Sequence, residues 1–223
     1  MKHGHLVATG NLTMALTLLL IPSLRSENWT RYDAQPGGKV RIEGTSTMHD
    51  WTVEGRIIGG YMELDSSFPL DSSIGKVSDL KVKPKVQVKI PVRSLKSKTS
   101  LMDSVMHNAM KQEQHSTIEY RLIEMKPSQQ EHKLGTPLQF DATGVLTVAG
   151  VTRTNTMPVS INPIDKTRLT VTGNTAMKMT DFGITPPAPK LALGAIKTGD
   201  DVMIFFEWLT AQRKEAASVE KAP

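Results

Sequence analysis

Gly144 to Val159, GVLTVAGVTRTNTMPV, reads as two short strands meeting at a tight bend. In the first, Val145, Thr147 and Ala149 alternate with Leu146 and Val148. Gly150 interrupts the run, and β-branched residues resume it at Val151, Thr152, Thr154, Thr156 and Val159. Such residues fit a pleated, half-buried surface, and a lone glycine between two such runs marks a turn or bulge. The rest of the chain repeats this pattern of strand, punctuation and strand.

Working back to the N-terminus, Trp29 to Lys39 is a lead-in with turn chemistry at Pro36-Gly37-Gly38. A first strand opens at Val40 and Ile42 and runs through Gly44 to Thr47. A second alternates Trp51, Val53 and Ile57 with Thr52, Glu54 and Arg56, and Tyr61 to Leu64 extend or restart it. Asp65 to Gly75, rich in Ser, Asp and Pro, is a loop. The third strand has the clearest two-residue period. Val82, Val86, Val88, Ile90 and Val92 share one face; Lys81, Lys83, Lys85, Gln87, Lys89 and Arg93 share the other. The lysines protect that strand against edge pairing, and a polyanion-binding face is the rival reading.

The helix of note spans about Leu101 to Gln112. Ser100 and Asp103 have capping-box spacing, and Leu101, Met102, Val105, Met106, Ala109 and Met110 form one apolar stripe. The stripe fits either a helix that closes a core or an adaptable lid over an apolar ligand. Strands follow at Ile118 to Leu122, Leu138 to Val148, Val151 to Ile161, Arg168 to Met179 and Val202 to Leu209. Thr180 to Thr198 is a Pro-rich loop, and Ala211 to Pro223 a charged tail expected to be disordered. Eight strands with short connections and one inserted helix make an all-β fold, a closed antiparallel barrel whose interior can hold one small ligand.

Composition narrows the chemistry. With 223 residues, 5% aromatics and 12 Met, the interior is aliphatic and methionine-rich. Zero cysteine removes disulfides, thiol catalysis and cysteine-ligated metals. Residues 1–26 have the form of an export signal: Lys2, His3 and His5 precede the apolar run Leu12 to Ile21, then Pro22 and Ser26. Its removal, with Lys2 and Arg25, leaves a net charge of about +3, too spread out for a nucleic-acid stripe. No metal spacing or nucleophile elbow exists; His49-Asp50 is the one place where a proton-transfer group adjoins a carboxylate. Asp181-Phe182-Gly183 matches a kinase signature by chance, since no nucleotide loop accompanies it.

The ordered set of motifs resembles the YceI-like, polyisoprenoid-binding family. Gly144 to Arg153 followed by Met157-Pro158-Val159 is similar to that family's G-x-L-T-I-x-G-V-T-R hairpin. Leu101 to Tyr120 resembles its helix and x-H-P-x-I-x-F strand, Met179 to Ile184 its R-x-D-F-G motif, and Gly199 to Glu207 its closing strand. Gly44 to Trp51 resembles its first hairpin. Ser116 replaces the usual Pro, and Met179 replaces the frequent Arg, which removes a cation. The resemblance covers about residues 38–210, within a domain taken as 27–210. It implies a lipocalin-like barrel, exported to the periplasm, that encloses an isoprenoid chain such as a quinone tail, with no catalytic residue and no metal. A homodimer is compatible with it. The expected lining is Trp51, Val53, Val86, Val88, Ile90, Leu101, Met102, Val105, Met106, Phe140, Phe182, Ile184, Ile204 and Phe206. The rivals are an interaction module with a filled barrel and an enzyme that uses His49 and Asp50 on a bound lipid.

Overall fold

The computed structural model describes residues 29–65, Phe68, 83–128, 136–188 and 196–214. The export signal, Lys81 and Val82, His132, the centre of the Pro-rich loop and residues 215–223 lie outside them. The described chain is antiparallel sheet throughout, with one α-helix. Its strands are β1 (Trp29–Ala34), β2 (Lys39–Ser46), β3 (Trp51–Gly55), β4 (Gly59–Asp65), β5 (Lys85–Pro91), β6 (Thr117–Pro127), β7 (Leu138–Val148), β8 (Val151–Pro163), β9 (Arg168–Lys178) and β10 (Thr198–Gln212). Helix α1 (Ser100–Ala109) lies between β5 and β6.

Ten strands form an eight-stranded barrel because two of the staves are bent. The closed circuit runs β1-β4-β5-β6-β7-β8-β9-β10 and returns to β1. β2 continues β1 along the same neighbour: Ala34 pairs with Thr210 and Lys39 with Glu207. The chain thus advances five residues on one side and three on the other, and the surplus loops out at Pro36-Gly37-Gly38, where Gly37 has φ +107°. Likewise β3 continues β4, with Gly59 and Gly60 at the bend. The lead-in segment is therefore a strand in its own right. Ala211 and Gln212 also belong to β10 rather than to a tail, and beyond them Arg213 donates to the Asp33 carboxylate at 2.6 Å. The reason is the pairing of Tyr32 to Ala34 with Thr210 to Gln212, which closes the barrel and needs those residues.

Alternation decides which side chains enter the interior, and one bulge resets it. In β6, Ile118, Tyr120 and Leu122 point inward; Leu122 pairs with Gly144 and Glu124 with Thr143, so Ile123 is squeezed outward and left 55% exposed. Met125 then turns inward. The lysine face of β5 is engaged by neighbouring strands: Lys85 with Glu63 and the Trp29 ring, Lys89 with Glu119.

One end of the interior is densely packed. Tyr32, Met62, Leu64, Leu138, Phe140, Ile161 and Leu169 are all at most 3% exposed, and Phe68 stacks obliquely on Phe140 at 5.9 Å. These side chains fill the floor. Gly60, at φ +121°, faces the Gln87 carbonyl so closely that a Cβ would be driven into backbone. Gly60→Ala is expected to cost about 3 kcal/mol or more, read as a lower urea midpoint with unchanged m-value.

Candidate functional site

Above the floor the barrel is hollow. A cavity of about 850 Å³ runs from Val40, Ile58 and Trp208 up to a mouth between the β2–β3 hairpin and α1. Met48 and Leu101 line it while being 67% and 55% exposed, so the apolar wall continues to the outer surface there. Among the described residues seven methionines face the space: Met48, Met102, Met106, Met110, Met157, Met177 and Met179. A wall of unbranched, polarizable side chains adapts to the shape of what it holds.

Three aromatic rings explain why the upper half stays open. Trp51 lies over its cross-strand partner Gly44, Phe206 over its partner Gly173, and Tyr120 over Gly144. A Cβ on Gly173 would sit 2.6 Å from the Phe206 ring; at Gly44 and Gly144 it would collide with Trp51 and Tyr120 outright. With no side chain beneath them, the rings lie against the wall instead of projecting across the lumen. Trp51 is further fixed by its indole N–H, which donates to the Thr45 carbonyl at 3.0 Å.

The helix forms one side. Its N-cap is Thr99, whose hydroxyl accepts from the Met102 amide, not Ser100. Asp103 reaches outside the helix instead of closing a box: its carboxylate accepts from the Ser97 amide at 2.6 Å and pairs with Lys96. Those bonds outweigh the cost of Asp103's burial and hold its pKa below the usual carboxylate range. His107 donates to the Leu95 carbonyl at 3.0 Å. The helix is thereby tied to the strand side of the barrel, and Met102, Val105, Met106 and Ala109 face the cavity.

The wall parts between β8 and β9, which pair only from Val159 to Pro163 and from Leu169 to Gly173. Above that, Val151 to Met157 bond to β7 alone and Asn174 to Lys178 to β10 alone. The segment Met179 to Ile184 occupies the gap, with buried Phe182 and Ile184 turned to the cavity. Asp200 clamps it, accepting from the Thr180 amide at 2.9 Å and hydroxyl at 2.6 Å. The Thr180 hydroxyl, then its amide, hold the Asp200 pKa down. Gly183 ends the turn at φ +64°. The three letters that match a kinase signature are this plug.

Of the fourteen residues expected to line a ligand site, twelve are on the cavity wall: Trp51, Val53, Val88, Ile90, Leu101, Met102, Val105, Met106, Phe182, Ile184, Ile204 and Phe206. Phe140 is not; it is fully buried in the floor against Phe68. Val86 is not either, since its register with Met62 puts it at floor level. Both have the right face and the wrong height. The wall also includes residues that alternation alone would have added, such as Val40, Ile42, Ile118, Tyr120 and Val202, together with Leu146, Val148 and Met157. Asn155, Thr175 and Trp208 carried no sequence signal.

His49 and Asp50 both stand at the mouth, but they do not form a dyad. His49 Nδ1–H donates to the Asp50 backbone carbonyl at 2.8 Å, and the Ser46 hydroxyl donates to the His49 carbonyl. These are turn bonds. Among the described residues no three His, Asp or Glu side chains converge to hold a metal ion, and no helix is long and apolar enough to cross a membrane. The filled-barrel alternative has the cavity against it, since about 850 Å³ of the upper half is occupied by no side chain.

The YceI-like domain model matches residues 31–208. No curated protein matches the chain. Among solved structures, a polyisoprenoid binding domain from Saccharophagus degradans implicated in plant cell wall breakdown aligns at TM-score 0.59 with 12% identity, covering 83% of this chain and 98% of that one. Burkholderia cenocepacia BcnA aligns at 0.58 with 16% identity, over 77% and 95%. The Campylobacter jejuni YCEI protein aligns at 0.52 with 17% identity, over 73% and 85%. These likenesses concern the fold; the domain match covers most of the sequence, and the chain belongs to the YceI-like family.

Proposed function

We propose that this protein is a non-enzymatic carrier of the periplasm that holds a long isoprenoid-type lipid, a prenyl or quinone tail, inside its barrel. The observation that carries the reading is the hollow, methionine-rich upper half, open at Met48 and Leu101. A lipid-binding role is what the YceI-like fold supports. A prenyl chain presents apolar surface, and each Å² removed from water is worth about 25 cal/mol, so a dry tunnel suffices without a reactive group. Export rests on the form of residues 1–26, and dimerisation is a further part of the proposal.

Native mass spectrometry of the exported protein, followed by organic extraction, tests the reading. One apolar molecule per barrel is the expected result, and the same spectrum gives the oligomeric state. A bare mass that stays unchanged after incubation with prenyl lipids would sink it. Amino-terminal sequencing of the periplasmic fraction tests export: a start near residue 27 is expected, and recovery only in the cytoplasm contradicts it.

Two substitutions probe the wall from opposite sides. Met106→Asp places a charge in the apolar stripe of α1, and lipid uptake should fall at least a hundredfold while the barrel still folds. Gly44→Val should displace the Trp51 ring toward the lumen and lower capacity for long chains more than for short ones. Comparing binding across a series of tail lengths reads that difference; equal losses at every length would count against it.

A further inference from the structure

Among the described residues, three polar side chains on the cavity wall have no partner, and two of them stand together. The Tyr120 hydroxyl and both polar atoms of the Asn155 carboxamide are closed off from solvent and hydrogen-bonded to nothing. Buried polar groups are ordinarily satisfied, and each orphan carries the full cost of its desolvation. The two are also neighbours. Tyr120 lies across Gly144, its hydroxyl directly above the position a Cβ would take. Gly144 pairs with Asn155 in the β7–β8 ladder, which puts the carboxamide on the same inner face one strand away. Asn155 is in the part of β8 that has left β9, so no strand on that side supplies a partner. Around the pair the wall is Leu146, Met157 and Ile118.

We infer that Tyr120 and Asn155 form a polar anchor inside the cavity for a carbonyl-bearing lipid head, which the protein takes up head-first with the tail running toward the mouth. The inference rests on the lipid-binding reading and specifies which end of the lipid goes deep. A carbonyl oxygen offers two lone pairs, one for the Tyr120 O–H and one for an Asn155 Nδ2–H. The terminal torsion of Asn is broad and two-fold, so the carboxamide turns to present either its N–H or its oxygen. Burial pushes the Tyr120 pKa up to about 12, which keeps the hydroxyl a donor at every physiological pH. The indole N–H of Trp208, also unpartnered, lies deeper, on the floor side. A purely hydrocarbon ligand would leave every one of these groups unsatisfied.

The test uses farnesylacetone against the hydrocarbon of equal chain in which the ketone is a methylene, competed on the full protein by native mass spectrometry. Wild type should prefer the ketone by about tenfold or more. Tyr120→Phe and Asn155→Leu should each lower ketone affinity about tenfold and leave hydrocarbon affinity unchanged or raised. Equal binding of the two probes by wild type overturns the anchor while leaving lipid binding intact. Parallel loss of both probes in the variants also overturns it, because it marks a structural role. Failure of both probes to bind wild type removes the lipid-binding reading itself.

Thermal unfolding of the empty proteins gives a second readout. Tyr120→Phe removes an unsatisfied hydroxyl without changing shape, so its Tm should equal or exceed that of wild type; a drop of several degrees would show that the hydroxyl is already bonded in the empty barrel, and the anchor fails. The pH dependence has a fixed sign. The folded pKa exceeds the unfolded value of about 10, so stability is full below pH 10 and falls as pH rises toward 12. Tyr120→Phe should flatten that fall, and burial of Tyr32, whose pKa is also raised, accounts for what remains.

Discussion

Glycine beneath an aromatic ring is the contact on which the hollow barrel depends. An eight-stranded barrel is just wide enough for inward side chains to meet across it, so the default outcome is a solid core. Here three of the largest inward side chains, Trp51, Tyr120 and Phe206, are removed from that role by Gly44, Gly144 and Gly173. Each ring covers its glycine and is stacked against the backbone. The ring still contributes apolar burial to the folded state, but along the wall, and the axis is left free. Glycine within a strand costs about 0.5–1 kcal/mol relative to alanine, so a barrel built for stability alone would not use three of them on its inner face.

The lower half supplies what the upper half gives up. Phe140, Leu64, Tyr32 and Leu169 pack where the eight strands close, and the β1–β10 pairing that seals the ring is at the same level. With no cysteine to staple the chain, this floor and the strand ladder carry the fold. The upper half is then free to do what a packed core cannot: part its strands between β8 and β9, hold a plug by the Asp200 side chain, and carry polar groups without partners.

The difference between floor and cavity was only half legible in the sequence. Alternation identifies the inward face of a strand, and in β3, β5 and β10 the alternating residues Trp51, Val53, Val88, Ile90, Ile204 and Phe206 lie on the cavity wall. It gives no height along the barrel axis, because height is set by register between strands distant in sequence. Val86 and Phe140 share the inward face but lie at floor level for that reason. β1 was missed because the stretch before Pro36 is short and mixed in polarity, and the partner that makes it a barrel stave, β10, is far away in sequence. Gly144 was visible in the sequence, but only as the first residue of the hairpin motif; its meaning lies in Tyr120, a residue of the neighbouring strand.

Asn155 shows the same limit most sharply. In the run TRTNTMPV it is one polar residue among β-branched ones, with nothing to mark it as inward or buried. Its environment comes from two long-range facts: the register that sets it opposite Gly144, and the divergence of β9 that leaves its far side unpaired. A polar group in that position is destabilising in the empty barrel, as are the cavity around it and the glycines under its rings. All three costs fall in the upper half, and an amphiphile bound as proposed would offset each of them: its tail would fill the space, and its head would satisfy the orphan groups. Because such a ligand binds the folded chain and not the unfolded one, the empty barrel can remain marginal while the filled one is stable. The features that weaken this fold and those that suit it to a lipid are the same residues.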